Sequence, residues 1–265
     1  MEIYVNCVGI NANVFATVGF RRIPKGTNIT NRAEKNGGQV IKRLDARIAS
    51  INNGDELRER TAMKLLIINA SPRKNGNISK QLELMKDEAE RAGVKVFVEY
   101  SQSLKIRPCI GCMKCRSAKN CVLPQDDAQR VLDLIQECDA LIVGSPTYWG
   151  NMPGTLKLLF DRIVYGLMDE NSLAMPVPLH KGKKALIVCT SSTPWPFNIL
   201  MGQTRGVVRA IKEVLGTAGF TVSSIQRGGT KKHPEITKKD IRLCQKAVRR
   251  LLLCPRDRRH FSLER

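Results

Sequence analysis

The sequence predicts an α/β protein built on a parallel sheet with helices on both faces. From Met63 onward, strand-sized apolar runs and helix-length amphipathic segments alternate five times, the pattern of repeated strand–helix–strand units. Several of these runs are apolar without interruption, as at Leu65-Leu66-Ile67-Ile68 and Leu141-Ile142-Val143, which suits strands buried on both faces. No apolar run reaches the roughly 18–20 residues that a membrane span requires.

The elements follow in order. Lys64–Asn69 reads as a strand, and Asn77–Arg91 has helical periodicity through Ile78, Leu82, Met85 and Ala89. Lys95–Tyr100 alternates as a half-buried strand should. A long loop over 101–125 leads to a helix at Asp127–Glu137 and a strand at 140–144. Pro153 is expected in the first turn of a helix running to about Tyr165, where its missing N–H costs nothing. Then come a strand at Lys184–Thr190, a helix near 202–218, a strand at Thr221–Arg227 and a last helix near 237–252. Right-handed crossovers leave few windings, chiefly the dinucleotide-binding and flavodoxin types.

Residues 1–62 differ in texture: rich in Asn, punctuated by Gly37-Gly38 and Asn52-Asn53-Gly54, and without sustained apolar period. Short strands fit 5–8 and 14–18, but neither has an evident partner. No folded domain is expected there; either a disordered extension or a stretch upstream of the true start accounts for it. The domain proper is expected over 63–253, with a basic tail over 254–265.

The formal charge is +20, from 44 Lys and Arg against 24 Asp and Glu. Nucleic acid or a phosphorylated cofactor would suit it. No base-reading motif accompanies the charge, so specific nucleic-acid recognition is not expected. The N-terminus carries no basic segment followed by an apolar stretch, and a cytoplasmic location is the expectation. No Ser–His–Asp arrangement is readable, and His180, His233 and His260 fall outside the loops that carry chemistry.

In a doubly wound sheet, ligands sit beyond the carboxyl ends of the strands where strand order reverses. The first such loop reads Ser71-Pro72-Arg73-Lys74-Asn75-Gly76-Asn77-Ile78-Ser79 and opens directly into a helix, whose free N–H groups and dipole favour phosphate. Ser71, Asn77 and Ser79 can add donors, and Arg73 or Lys74 charge. An ordinary strand-to-helix turn is the competing reading. The loop fits neither the G-x-G-x-x-G nor the G-x-x-x-x-G-K-[ST] pattern. The second loop, Ser145-Pro146-Thr147-Tyr148-Trp149-Gly150-Asn151-Met152-Pro153, sets two aromatics at a strand exit, which suits a flat heteroaromatic ring better than a core. The third, from Thr190 through Pro194-Trp195-Pro196 to Phe197, repeats hydroxyls, prolines and aromatics on the same rim.

These motifs resemble the NAD(P)H-dependent FMN reductases. Met63 through Asn77 is similar to their opening strand and loop, and 145–153, with Leu156-Lys157 and Phe160-Asp161-Arg162, to their flavin-ring loop and following helix. The resemblance covers about 63–252. It implies a flavodoxin-like fold with a five-stranded sheet in the order 2-1-3-4-5. It also implies FMN phosphate at Ser71, Arg73, Asn77 and Ser79 and the isoalloxazine against Pro146, Thr147, Tyr148, Trp149, Gly150 and Asn151. Thr190 is expected beside the cofactor, with Trp195 or Phe197 as a wall or lid. Ile78 departs from the family, which often has Thr there, and removes one hydroxyl contact to phosphate.

Four of the nine cysteines, Cys109, Cys112, Cys115 and Cys121, crowd one loop. Such clustering points to a metal or redox centre rather than a disulfide scaffold. The spacing resembles that of the iron–sulfur flavoproteins, which implies a [4Fe–4S] cluster; zinc and simple packed thiols remain as alternatives. Cys7, Cys138, Cys189, Cys244 and Cys254 are expected to pack as small hydrophobes.

The function expected is therefore electron transfer from NAD(P)H through FMN to an acceptor such as ferredoxin or a quinone, in a homodimer, with or without a cluster between. No protein acid or base is needed for hydride transfer, since the flavin does that chemistry. The alternative is an iron–sulfur flavoprotein fed by ferredoxin without direct use of nicotinamide.

Overall fold

A computed structural model describes residues 63–253 and two strands nearer the N-terminus. The chain divides into two units, Met1–Thr61 and Ala62–Arg265. In the first, strands β1 (Glu2–Asn6) and β2 (Thr17–Arg21) pair antiparallel. They lie close to the expected 5–8 and 14–18 and are each other's partners. The expectation for the rest of 1–62, and the basic tail, fall outside the described residues.

In the second unit the sheet is made by β3 (Lys64–Asn69), β4 (Lys95–Tyr100), β5 (Ala140–Pro146), β8 (Lys184–Thr190) and β9 (Thr221–Arg227). A small antiparallel hairpin, β6 (Met168–Glu170) and β7 (Pro176–Pro178), stands apart from it. All pairings in the main sheet are parallel and its order is β4-β3-β5-β8-β9, the 2-1-3-4-5 winding of a flavodoxin-like fold.

Alternation along the strands separates two cores. Leu66, Ile68, Leu141, Val143 and Ile187 face helices α3 (Asp127–Glu137), α4 (Gly154–Arg162) and α7 (Gln203–Thr217). Leu65, Ile67, Ile142, Leu186 and Val188 face α1 (Asn77–Arg91) and α8 (Lys238–Leu252). Each fully buried aliphatic side chain contributes about 1.5–3 kcal/mol. Short helices α2 (Cys115–Ala118), α5 (Val164–Leu167) and α6 (Phe197–Leu200) lie in the connections.

Two boundaries differ from expectation. Pro153 is the cap before α4 rather than a helical residue, with ψ 147°. The helix then stops at Arg162, because Ile163 leaves helical geometry at φ −105°, ψ 12°, and one turn resumes as α5. At the strand exits, packing is close: a methyl group on Gly144 would come 2.5 Å from Leu82 Cδ1 and 2.8 Å from Ile78 Cγ2. Glycine is what lets α1 begin directly over the sheet.

Candidate functional site

The loop between β3 and α1 is shaped by its own side chains. Asn69 Oδ1 accepts from the Ser71 N–H at 2.9 Å, and Asn69 Nδ2 donates to Ser79 Oγ at 3.0 Å. Ser79 Oγ donates to the Arg73 carbonyl at 2.8 Å, and the Arg73 N–H donates to Ser71 Oγ at 3.2 Å. The single hydroxyl proton of Ser79 is thus committed to the loop, and its part here is to fix the turn. Helix α1 has no acidic residue in its first turn, and its Gly76 cap makes no side-chain hydrogen bond. Among the described residues, the N–H groups of Asn77, Ile78 and Ser79 meet no backbone acceptor, as the first turn of a helix requires. A methyl group on Gly76 would sit 3.0 Å from Arg73 Cβ and 3.2 Å from the Arg73 carbonyl oxygen, so the turn is closely packed there. An anion of phosphate size fits such a cradle.

The second loop leaves β5 at Pro146. Thr147 N–H donates to the Thr190 carbonyl at 2.9 Å, stitching the loop to the end of β8. Tyr148 and Asn151 then exchange two backbone hydrogen bonds of 3.0 and 2.9 Å around Trp149 and Gly150. Both central residues have positive φ, 51° and 71°, the mark of a type I′ turn. Glycine adopts this readily, whereas Trp149 does so at a cost of about 1–2 kcal/mol. Strain of this kind collects at functional sites. Its indole is fully exposed and Tyr148 about half exposed. Behind the turn stands Gly206 of α7, where a methyl group would come 2.0 Å from the Gly150 carbonyl oxygen.

Thr190 closes the sheet end at 6% exposure, and the third loop follows. Ser191 N–H donates to the Arg227 carbonyl at 2.9 Å, and Gly229 N–H donates to the Thr193 carbonyl at 2.7 Å. The Trp195–Pro196 bond is cis, and Trp195 is 77% exposed. The three loops, with Ser71, Arg73, Asn77, Ser79, the 146–151 turn, Thr190 and Trp195, therefore occupy one rim at the carboxyl ends of adjacent strands.

Arg227 is a participant that sequence reasoning missed. Placed by the last residue of β9, its guanidinium donates to Asn77 Oδ1 and to the carbonyls of His233 and Glu235, and pairs with Asp240 at 3.6 Å.

The four loop cysteines line one cavity of about 60 Å³. All are free thiols; Cys109 and Cys112 are exposed, and burial pushes the Cys115 thiol up. Among the described residues, no three His, Cys, Asp or Glu side chains are arranged to hold a single metal ion. The buried Arg162 bridges the cavity wall, donating from Nη1 to Cys121 Sγ at 2.6 Å and from Nη2 to Asp126 Oδ2 at 2.9 Å. Two ion pairs hold the loop against the β6–β7 hairpin: Arg116 with Glu170 at 2.7 Å, and Lys119 with Asp169. Helix α4, roughly 13 Å long at the usual rise, starts just after the 145–153 loop and ends at Arg162, so it connects the two regions. The remaining described cysteines, Cys138, Cys189 and Cys244, are buried.

Residues 63–223 match the family described as NADPH-dependent FMN reductase. The chain belongs to that family. Among curated relatives, an iron–sulfur flavoprotein of Archaeoglobus fulgidus is 38% identical over 100 residues, 38% of this chain and 48% of that protein. The chain thus spans about half the length of the curated iron–sulfur flavoproteins it matches. An FMN-dependent NADH:quinone oxidoreductase of Azospirillum brasilense is 26% identical over 199 residues, 70% of this chain and 96% of the relative. An NAD(P)H:quinone oxidoreductase structure from Methanothermobacter marburgensis superposes with a TM-score of 0.56 at 18% identity, over 73% of this chain and 98% of that one. At that identity the likeness speaks for the fold alone.

Proposed function

We propose that the chain is an FMN-dependent NAD(P)H oxidoreductase, and that its flavin unit is residues 63–253. The observation that carries this reading is the convergence of three loops on one rim: an open helix N-terminus shaped by Ser71 and Ser79, the strained Trp149–Gly150 turn, and the Thr190–Phe197 segment. Bound FMN would supply hydride acceptance and onward electron transfer. The chain's part is binding and placement. The N–H groups at Asn77–Ser79, with Ser71, Arg73 and Asn77 side chains, would hold the phosphate. Pro146, Thr147, Tyr148, Trp149, Gly150 and Asn151 would flank the ring, with Thr190 beneath and Trp195 as an outer wall.

Cys109, Cys112, Cys115 and Cys121 are proposed to hold a [4Fe–4S] cluster. Their shared cavity and the Arg162 donor on Cys121 support this, because thiolate donors and N–H···S contacts suit such a centre. That same cavity favours a second reading, an electron carrier charged by ferredoxin. A homodimer in the cytoplasm, with a quinone or ferredoxin as acceptor, completes the proposal. No helix among the described residues is long and apolar enough to cross a membrane.

The test is anaerobic purification followed by absorption spectroscopy, iron and sulfide analysis, and NAD(P)H oxidation. Flavin bands with nicotinamide turnover are expected. Flavin without iron removes the cluster; an intact cluster with negligible NAD(P)H oxidation selects the carrier. A colourless protein that takes up no FMN at micromolar concentration overturns the whole reading.

A further inference from the structure

We infer that Arg227 is a positioning residue for the phosphate end of the cofactor, acting through Asn77. The inference rests on the flavin reading above. Asn77 is the first residue of α1 and the only side chain of the helix's first turn that combines an amide donor with a place at the cradle's edge. An amide can present either its oxygen or its NH2 group to a ligand, and only the NH2 group attracts an anion. Which end faces outward is decided by the network behind it. Here Arg227 reaches across 150 residues of sequence and captures Asn77 Oδ1 with its Nη1 group, which leaves the Nδ2 donors uncommitted.

Arg227 is itself over-determined. Its Nη2 group donates to the His233 carbonyl at 3.0 Å and the Glu235 carbonyl at 2.6 Å, and its Nε lies 3.6 Å from Asp240 Oδ2. Asp240 is in turn locked into the capping box of α8: its carboxylate accepts from the Thr237 N–H at 2.9 Å and hydroxyl at 2.7 Å, and its own N–H donates to Thr237 Oγ1 at 3.2 Å. The Arg227 side chain is only 12% exposed. A planar guanidinium with three hydrogen-bond acceptors and one ion-pair partner is held rigidly, and lysine cannot reproduce that fork. The strand end, the α8 cap and the cradle are therefore connected through one cation, which adds positive charge close to where the phosphate is proposed to bind.

The test compares FMN with riboflavin, which lacks the phosphate, by fluorescence titration of the full chain freed of flavin. For Arg227→Met and Arg227→Lys the expected result is a loss of FMN affinity of about 10-fold or more, the usual weight of a hydrogen bond to a charged group. Riboflavin affinity should stay unchanged. Asn77→Ala should show the same selective loss, and adding Arg227→Met to it should cost much less than it does alone. Equal loss for both ligands, no loss for either, or full additivity of the two substitutions overturns the inference. If the Arg227 variants do not fold, Asn77→Ala decides: unchanged FMN preference over riboflavin refutes it. A wild-type protein that binds neither ligand instead refutes the flavin reading.

Discussion

Replacing Gly206 with alanine should uncouple stability from cofactor binding. Near the start of α7, where Gly206 is the fourth residue, alanine is favoured over glycine by up to about 0.5–1 kcal/mol, so propensity alone would raise stability. The added methyl group, however, would lie 2.0 Å from the Gly150 carbonyl oxygen and 3.1 Å from its carbon. Non-bonded carbon and oxygen do not approach below about 3 Å, so the Tyr148–Asn151 turn must move by about 1 Å or α7 must tilt away. The helix is anchored by Val207, Ile211 and Leu215, all fully buried, whereas the turn is held by two backbone hydrogen bonds and is exposed. The turn should therefore yield. A displacement of that size at a binding or reacting group can reduce rate by up to about 100-fold. The assay is FMN titration and NADPH oxidation beside thermal unfolding. The expected result is FMN affinity or turnover reduced by at least 10-fold with the melting temperature changed little. Unchanged flavin affinity and turnover would falsify the placement of the ring at this turn.

Further outcomes are expected elsewhere. Gly144→Ala, with its methyl 2.5 Å from Leu82 Cδ1, should cost about 1–3 kcal/mol by overpacking, read from urea unfolding. Burial alone would push the Asp126 carboxyl up, but the N–H donors of Arg107 and Ala128 and the Arg162 guanidinium together hold it below its ordinary value of 3.8. Its folded-state value being the lower one, its stabilisation is complete above 3.8 and is lost as pH falls through that depressed value. Asp126→Asn should therefore flatten that acid limb of the stability profile and, by stranding the buried Arg162, cost about 3–5 kcal/mol at neutral pH; an unchanged acid limb would refute the pairing. Burial pushes the Cys138, Cys189 and Cys244 thiols up to about 11 each. In metal-free protein at neutral pH, mass-mapped alkylation should thus find, among the described cysteines, Cys109 and Cys112 labelled first and these three last; rapid labelling of Cys189 would contradict its burial.

The sheet was legible because each strand carries its own signal. Lys64–Asn69 and Lys184–Thr190 are apolar runs bounded by loop residues, and burial on both faces demands that composition. The loops stood out in the sequence because prolines, glycines and aromatics at strand exits have little reason to serve a core. What escaped were relations between distant residues. Nothing in the local sequence shows that Arg227 meets Asn77, that Gly206 backs Gly150, or that Arg162 reaches Cys121. The β6–β7 hairpin escaped for another reason: strands of three residues, one of them Pro-Val-Pro, leave no period to read. The contact between the Ser79 hydroxyl and the Arg73 carbonyl is a further relation that residue type alone does not show.

The sequence contains two tryptophans, Trp149 and Trp195, and both stand exposed on the rim while neither enters the core. Intrinsic indole emission from this chain is consequently a gauge of the ligand edge and a poor gauge of global folding. It should already be red-shifted in the native state, change little in denaturant, and be quenched when an absorbing ring occupies the loops between them.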